Sequence, residues 1–144
     1  MDEFLEEYRA LLTEIRRLTS WETTWGWDSA LRAALLVVKA EHAEPVLKLL
    51  RDRFETAWDS SNVKEAPGHV QYIVEHLAGM RDRQELFTNA TNDDDHVLFS
   101  GFWPWVKMPL VSIRIGVVRT DNTPVDADLG SRIVSVTLQS NQDT

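Results

Sequence analysis

The apolar residues of this chain recur at two different periods, and the change from one to the other restricts the folds open to it. Phe4, Leu5, Tyr8, Leu11, Leu12, Ile15 and Leu18 are spaced at three- and four-residue steps, which lines one face of an α-helix over Asp2 to Leu18. The charges agree with that helix. Asp2, Glu3, Glu6 and Glu7 stand at the positive end of its dipole, and Arg16 and Arg17 at the negative end. Far along the chain, in LVSIRIGVVR, Val111, Ile113, Ile115 and Val117 alternate with Ser112, Arg114, Gly116 and Val118. That is the two-residue period of a strand with one buried face.

The intervening segments sort by the same two periods. Asp28 is suited to an N-cap, and SALRAALLVVKAEH after it reads as a helix with Leu31, Ala34, Leu35 and Val38 on one face and Leu36 and Val37 widening it. The ALLVV stretch alone also fits a buried strand. Pro45 opens a third helix, with Val46, Leu47, Leu50, Phe54, Ala57 and Trp58 as its stripe and DSSN at 59 to 62 as its end. Pro67 and Gly68 open a fourth, carrying Val70, Ile73, Val74 and Leu77, with Gly79 at its C-terminus. QELFTNA and HVLFSGFW read as strands joined by a turn over TNDDD. SRIVSVTLQS alternates through Val134, Val136 and Leu138 and is expected to pair with LVSIRIGVVR around a polar loop at 120 to 131. The expected architecture is therefore α+β in two layers. About four N-terminal helices pack on one face of an antiparallel sheet of about four C-terminal strands, and the other face of the sheet is largely wet. Residues 1–144 read as one domain, with no repeat or linker, long enough to bury a core.

Composition narrows the functions. The chain has no cysteine, which excludes disulfides, thiolate zinc sites, iron-sulfur clusters and cysteine nucleophiles. Its net charge of −8 opposes a phosphate backbone and an anionic membrane surface, so neither nucleic acid nor membrane is expected as a partner. The acidic start MDEFLEEYRALL is unlike a secretion signal, and the longest strongly apolar run, Ala33 to Val38, is far short of the ~20 residues that span a bilayer. A soluble, cytoplasmic protein is the expectation. No glycine-rich phosphate loop, nucleophile elbow or zinc-hydrolase pattern occurs. The run Asp93, Asp94, Asp95 and His96 lacks the alternation and the distal glutamate of a calcium loop. Among His42, His69, His76 and His96, only His69 and His76 share a helical face, two turns apart, too far for ligands on adjacent turns. No catalytic residue, metal or cofactor is expected.

Two aromatic clusters stand out. WETTWGW carries Trp21, Trp25 and Trp27, and GFWPWVKMP carries Trp103 and Trp105. Indoles are rarely sealed completely and their N–H groups seek acceptors, which suits boundary positions. The first cluster reads as a bridge between two helices closing one end of the core. The second reads as an edge or irregular crossing, because Pro104 and Pro109 argue against a central strand. Arg114 lies mid-strand on the face expected to be polar, beside Ser112 and across from Ser135 or Thr137, where it decorates a wet surface or clamps a carboxylate. Trp21, Trp25, Trp27, Trp103, Trp105 and Arg114 are thus the candidate binding residues. With no catalytic motif, the expected function is that of a small acidic, non-enzymatic protein-binding domain, comparable in size and charge alone to immunity proteins, secretion chaperones and adaptor subunits. Its partner is another protein, with a basic surface favoured by charge, or a second copy in a homodimer. The alternative is a small-molecule-binding protein or enzyme with a pocket between helices and sheet, lined by Trp58, Trp103, Trp105 and His76.

Overall fold

A computed structural model describes residues 2–19, 23–90 and 95–142. Its elements, in chain order, are α1 (Asp2–Leu18), β1 (Gly26–Asp28), β2 (Ala33–Lys39), a 3₁₀ turn (Ala40–His42), α2 (Glu44–Arg53), β3 (Thr56–Trp58), a second 3₁₀ turn (Val63–Glu65), α3 (Gly68–His76), β4 (Glu85–Ala90), β5 (His96–Pro104), β6 (Leu110–Arg119) and α4 (Ala127–Gln142). The fold is α+β with an antiparallel sheet, as the two periods imply. The sheet has six strands rather than about four, in the order β1-β2-β6-β5-β4-β3. Its edges, β1 and β3, are only three residues long, which limits the unpaired backbone they offer.

Several elements fall where the periodicity puts them. α1 has the expected bounds, and Phe4, Leu5, Tyr8, Leu11, Leu12 and Ile15 are buried. α3 starts at Gly68 and unwinds at Gly79, whose φ of 92° lets its amide reach back to the Val74 carbonyl at 2.9 Å. β4, β5 and β6 form the expected antiparallel run. Of the turn expected over TNDDD, residues 91–94 lie outside the described residues.

Three segments change their secondary structure. The segment expected as a helix from Ser29 to His42 is a turn followed by β2. Its AALLVVK run lies between β1 and β6, with Ala34, Leu36 and Val38 buried in one core and Ala33 in the other, whereas Leu35 is half-buried and Val37 exposed; apolar residues on the less covered face mask the two-residue period. The third helix stops at Arg53; residues 56–58, expected to extend its stripe to Ala57 and Trp58, are β3. Most consequentially, SRIVSVTLQS is not a strand but the body of α4, so the helices are not all N-terminal. The Asp126 carboxylate accepts the Leu129 amide at 2.9 Å, capping α4, and Leu129, Ile133, Val136, Thr137 and Ser140 follow at helical spacing on its buried side.

These changes alter the layering. α1, α2 and α4 cover one face of the sheet. There Tyr8, Leu12, Val46, Leu50, Leu129 and Ile133 join Leu36, Phe87, Phe102 and Ile113 in the main core. α3 lies on the other face, where Val70, Ile73 and Val74 pack with Leu31, Leu86, Phe99 and Trp103. That face, expected to be largely wet, is in good part buried. α1 and α4 are joined by specific polar contacts. Thr137 donates its hydroxyl to the Ile133 carbonyl at 2.8 Å, so the bond between Tyr8 Oη and Thr137 Oγ1, also 2.8 Å, is donated by the tyrosine. Burial holds the Tyr8 phenol well above its ordinary range, against the lowering effect of that bond, and it stays protonated. Arg16, itself buried, donates to the Ser140 carbonyl at 2.7 Å and the Thr23 carbonyl at 3.0 Å, closing the C-terminal turn of α4 with a cation.

Candidate functional site

The tryptophans of the two clusters do not form one platform. Trp21 lies outside the described residues. Trp25 is buried at the head of β1, and its backbone is held by the Asn141 side chain of α4. The Trp25 amide donates to Asn141 Oδ1 at 2.7 Å, and Asn141 Nδ2 donates to the Trp25 carbonyl at 3.0 Å, so an amide side chain stands in for a neighbouring strand. Trp27, two residues on, faces α4 and is 38% exposed. The cluster therefore joins α1 to a hairpin, not helix to helix.

Trp103 and Trp105 separate in the same way. Trp103 is buried in the second core, its ring over Gly101, where an added Cβ would sit 3.7 Å from it. The expected edge or irregular crossing is a central strand, paired on both sides. Pro104 is tolerated because the Trp105 amide bonds β6 through the Leu110 carbonyl. The nitrogen of the preceding residue must then face β4, which starts only at Glu85, opposite Phe102, and asks for no donor there. Trp105 is 44% exposed, and its Nε1 donates to Ser112 Oγ at 2.8 Å.

Arg114 lies opposite Leu35 and Gly101, not opposite Ser135 or Thr137, since those two belong to α4. Its Nε donates to Asp28 Oδ2 at 2.8 Å, while Asp28 Oδ1 accepts the amides of Ala30 and Leu31 at 3.0 and 3.2 Å. Burial works against the Asp28 charge. The Arg114 guanidinium and the two amides outweigh it and hold the carboxyl below the usual aspartate range. The pair reaches across β2 and fastens the β1–β2 turn to the middle of β6.

Besides Trp105, Val106 and Met108 at the β5–β6 turn, a second group of exposed apolar side chains stands around α4. α4 turns Leu129, Ile133 and Val136 inward but leaves Val134 38% and Leu138 58% exposed, one helical turn apart, facing the side where Trp27 stands. Between them runs a groove of about 570 Å³, lined also by Val117, Val125 and Ile133 and by the polar residues Arg32, Asp126, Ser131 and Ser135. Ala127, Ser131, Val134 and Leu138, the row of α4 on this side, carry no charge. Of the groove, sequence reading had Trp27 and missed the α4 wall, because Val134 and Leu138 were placed on a strand. The signal available was Asp126 three residues before Leu129, followed at helical spacing by the apolar Ile133 and Val136.

The residues of the alternative pocket are dispersed. Trp58 packs against the second core with Trp103, whereas Trp105 is exposed near the β5–β6 turn and His76 stacks on Tyr72 at the end of α3, its Nδ1 2.9 Å from the Tyr72 carbonyl. Among the described residues, no helix is long and apolar enough to cross a membrane. In comparison with known proteins, no family model, no curated protein and no solved structure matches the chain.

Proposed function

We propose that this chain is a non-enzymatic protein-binding module whose docking surface is the groove between α4 and β1. One observation carries the reading: Trp27, Val134 and Leu138 leave apolar surface exposed around a single open groove, on a wall without charge, in a chain with a net charge of −8. Interface centres are depleted in charged residues and enriched in tryptophan, and such patches are uncommon on surfaces that meet only water. Two amphipathic rows of one helix, one facing the core and the other facing outward, suit a partner segment that lays apolar side chains along α4. The acidic remainder of the surface steers association and favours basic residues in the parts of the partner outside the groove.

The test places a photo-crosslinking amino acid at Gln142, one helical turn beyond Leu138 on α4, in the native cell, and identifies what it captures. The captured protein is then titrated against the purified chain and two variants. Leu138→Asp and Trp27→Ala are expected to weaken binding at least tenfold, about 1.4 kcal/mol or more, with little change in melting temperature, since both side chains are already exposed. Unchanged affinity in both variants would refute the groove as the docking surface.

A further inference from the structure

The groove has a neighbour. A second cleft of about 210 Å³ opens beside it and shares Ser29, Arg32, Val117 and Val125 with it, so a chain lying along Leu138 and Trp27 can run on into this space. The chemistry changes at the junction. Arg32 and Arg119 both line the second cleft, with Tyr72 and Asn122. In a chain with 15 basic and 23 acidic residues, two guanidinium groups line one small cleft, and of these Arg119 has the Asp121 carboxylate as an ion-pair neighbour. The Arg119 Nε is buried without a hydrogen-bond partner among the described residues. The Asp121 carboxylate is 3.6 Å away, outside hydrogen-bonding range, and its Oδ1 already accepts the Thr123 amide and hydroxyl at 3.0 and 2.6 Å.

The backbone points to the same place. Arg32 and Asn122 have φ of 53° and 64°, and both line this cleft. Asparagine accepts the left-handed region readily, whereas arginine is strained there and glycine would fit freely. A β1–β2 turn chosen for stability alone would end in glycine or asparagine. Arginine at this position, itself exposed, keeps a cation lining the cleft in spite of the strain; the other two non-glycine residues with positive φ, Ala78 and Arg83, lie away from it.

We propose that the partner segment ends in this cleft: the groove takes an apolar C-terminal peptide, and its terminal carboxylate is received by Arg32 and Arg119. The inference rests on the groove being the docking surface. A carboxylate fits the forked donors of a guanidinium, and a cleft this small, opening from an apolar groove, accommodates a chain end more readily than a continuing chain. Tyr72 and Asn122, whose side chains also carry donor groups, line the same cleft.

Two pools of apolar-rich random decapeptides, identical except that one ends in a free carboxylate and the other in an amide, are passed over the immobilised protein. Retained peptides are identified by mass spectrometry and measured by fluorescence anisotropy. Free-acid peptides are expected to bind about tenfold more tightly than their amides. Arg32→Gly is expected to erase that difference while melting no lower than the parent, because glycine suits the turn, so loss of binding and loss of folding are separated. Equal retention of acids and amides, both abolished by Leu138→Asp, overturns the carboxylate site and leaves the groove standing. Retention that follows an internal Asp or Glu whatever the terminus overturns it too. Retention of neither pool overturns the groove reading and this inference with it.

Discussion

Asp28 performs at residue scale a task different from the helix cap its sequence context suggests. One carboxylate oxygen closes the β1–β2 turn by accepting two amides, and the other holds Arg114, so three donors converge on a group that is mostly shielded, its side chain 15% exposed. Arg114 is therefore not the decoration of a wet sheet that its alternation with Ser112 implied. A depressed folded-state pKa has a definite consequence. Unfolded aspartate titrates near pH 4, so the stability contributed by Asp28 is fully present above that pH and is lost as pH falls through the lower folded-state value. Asp28→Asn is expected to cost about 1 to 2 kcal/mol at neutral pH. In melting temperature against pH, the variant should approach the parent as the pH falls from 5 to 2. A constant gap between the two curves over that range would show that Asp28 acts through shape alone.

At the scale of elements, α4 is the most informative. Its start is set locally by Asp126, whose side chain accepts the Leu129 amide while its carbonyl accepts the Gly130 amide at 2.9 Å. Loss of such a cap costs about 1 kcal/mol, so Asp126→Ala should lower the midpoint of urea unfolding by that amount with an unchanged slope. A larger effect is expected at the other end. There, Arg16 and Asn141 tie α4 to α1 and to the head of β1, and removing a charged donor strands buried carbonyls. The hydroxyls of Thr137 and Ser140 bond back to Ile133 and Val136 at 2.8 and 3.0 Å. Polar residues on the buried side of α4 are thereby satisfied within the helix, and its outer row is left free for the groove.

On the scale of the whole molecule, a six-stranded sheet carries helices on both faces, and the tryptophans divide accordingly. Trp25 belongs to the core under α1, α2 and α4, and Trp103 to the core under α3. Trp27 and Trp105 reach solvent from well-separated sites. In variants that retain one tryptophan each, Trp25 and Trp103 are expected to emit at shorter wavelength and resist acrylamide, while Trp27 and Trp105 are quenched readily. A peptide filling the groove should protect Trp27 and leave Trp105 unchanged. Protection of both by one such peptide would place the contact away from α4.

Much of the fold is legible in the sequence, for a local reason. α1, α3 with Gly79, and β6 combine a clear period with their own breakers, and β4 and β5 stand as short β-prone runs on either side of a polar turn, so interactions within about ten residues settle them. What only the tertiary structure decided are the two segments whose apolar pattern answers to more than one surface. AALLVVK is apolar on both faces, yet only one face, Ala34, Leu36 and Val38, is sealed in the main core, while Leu35 and Val37 on the other stay partly exposed; the apolar run hides that alternation, and the neighbours β1 and β6 that make it a strand lie outside the segment. In SRIVSVTLQS, Ile133 and Val136 are apolar for the core, whereas Val134 and Leu138 are apolar for the groove, and superposing the two rows produces a false alternation. The candidate site was hidden by the same fact that makes it a site: outward apolar residues break the pattern from which a helix is read. Trp27 could be named in advance as an aromatic of interest, but the wall it faces existed only once the last helix had folded back over the first strand.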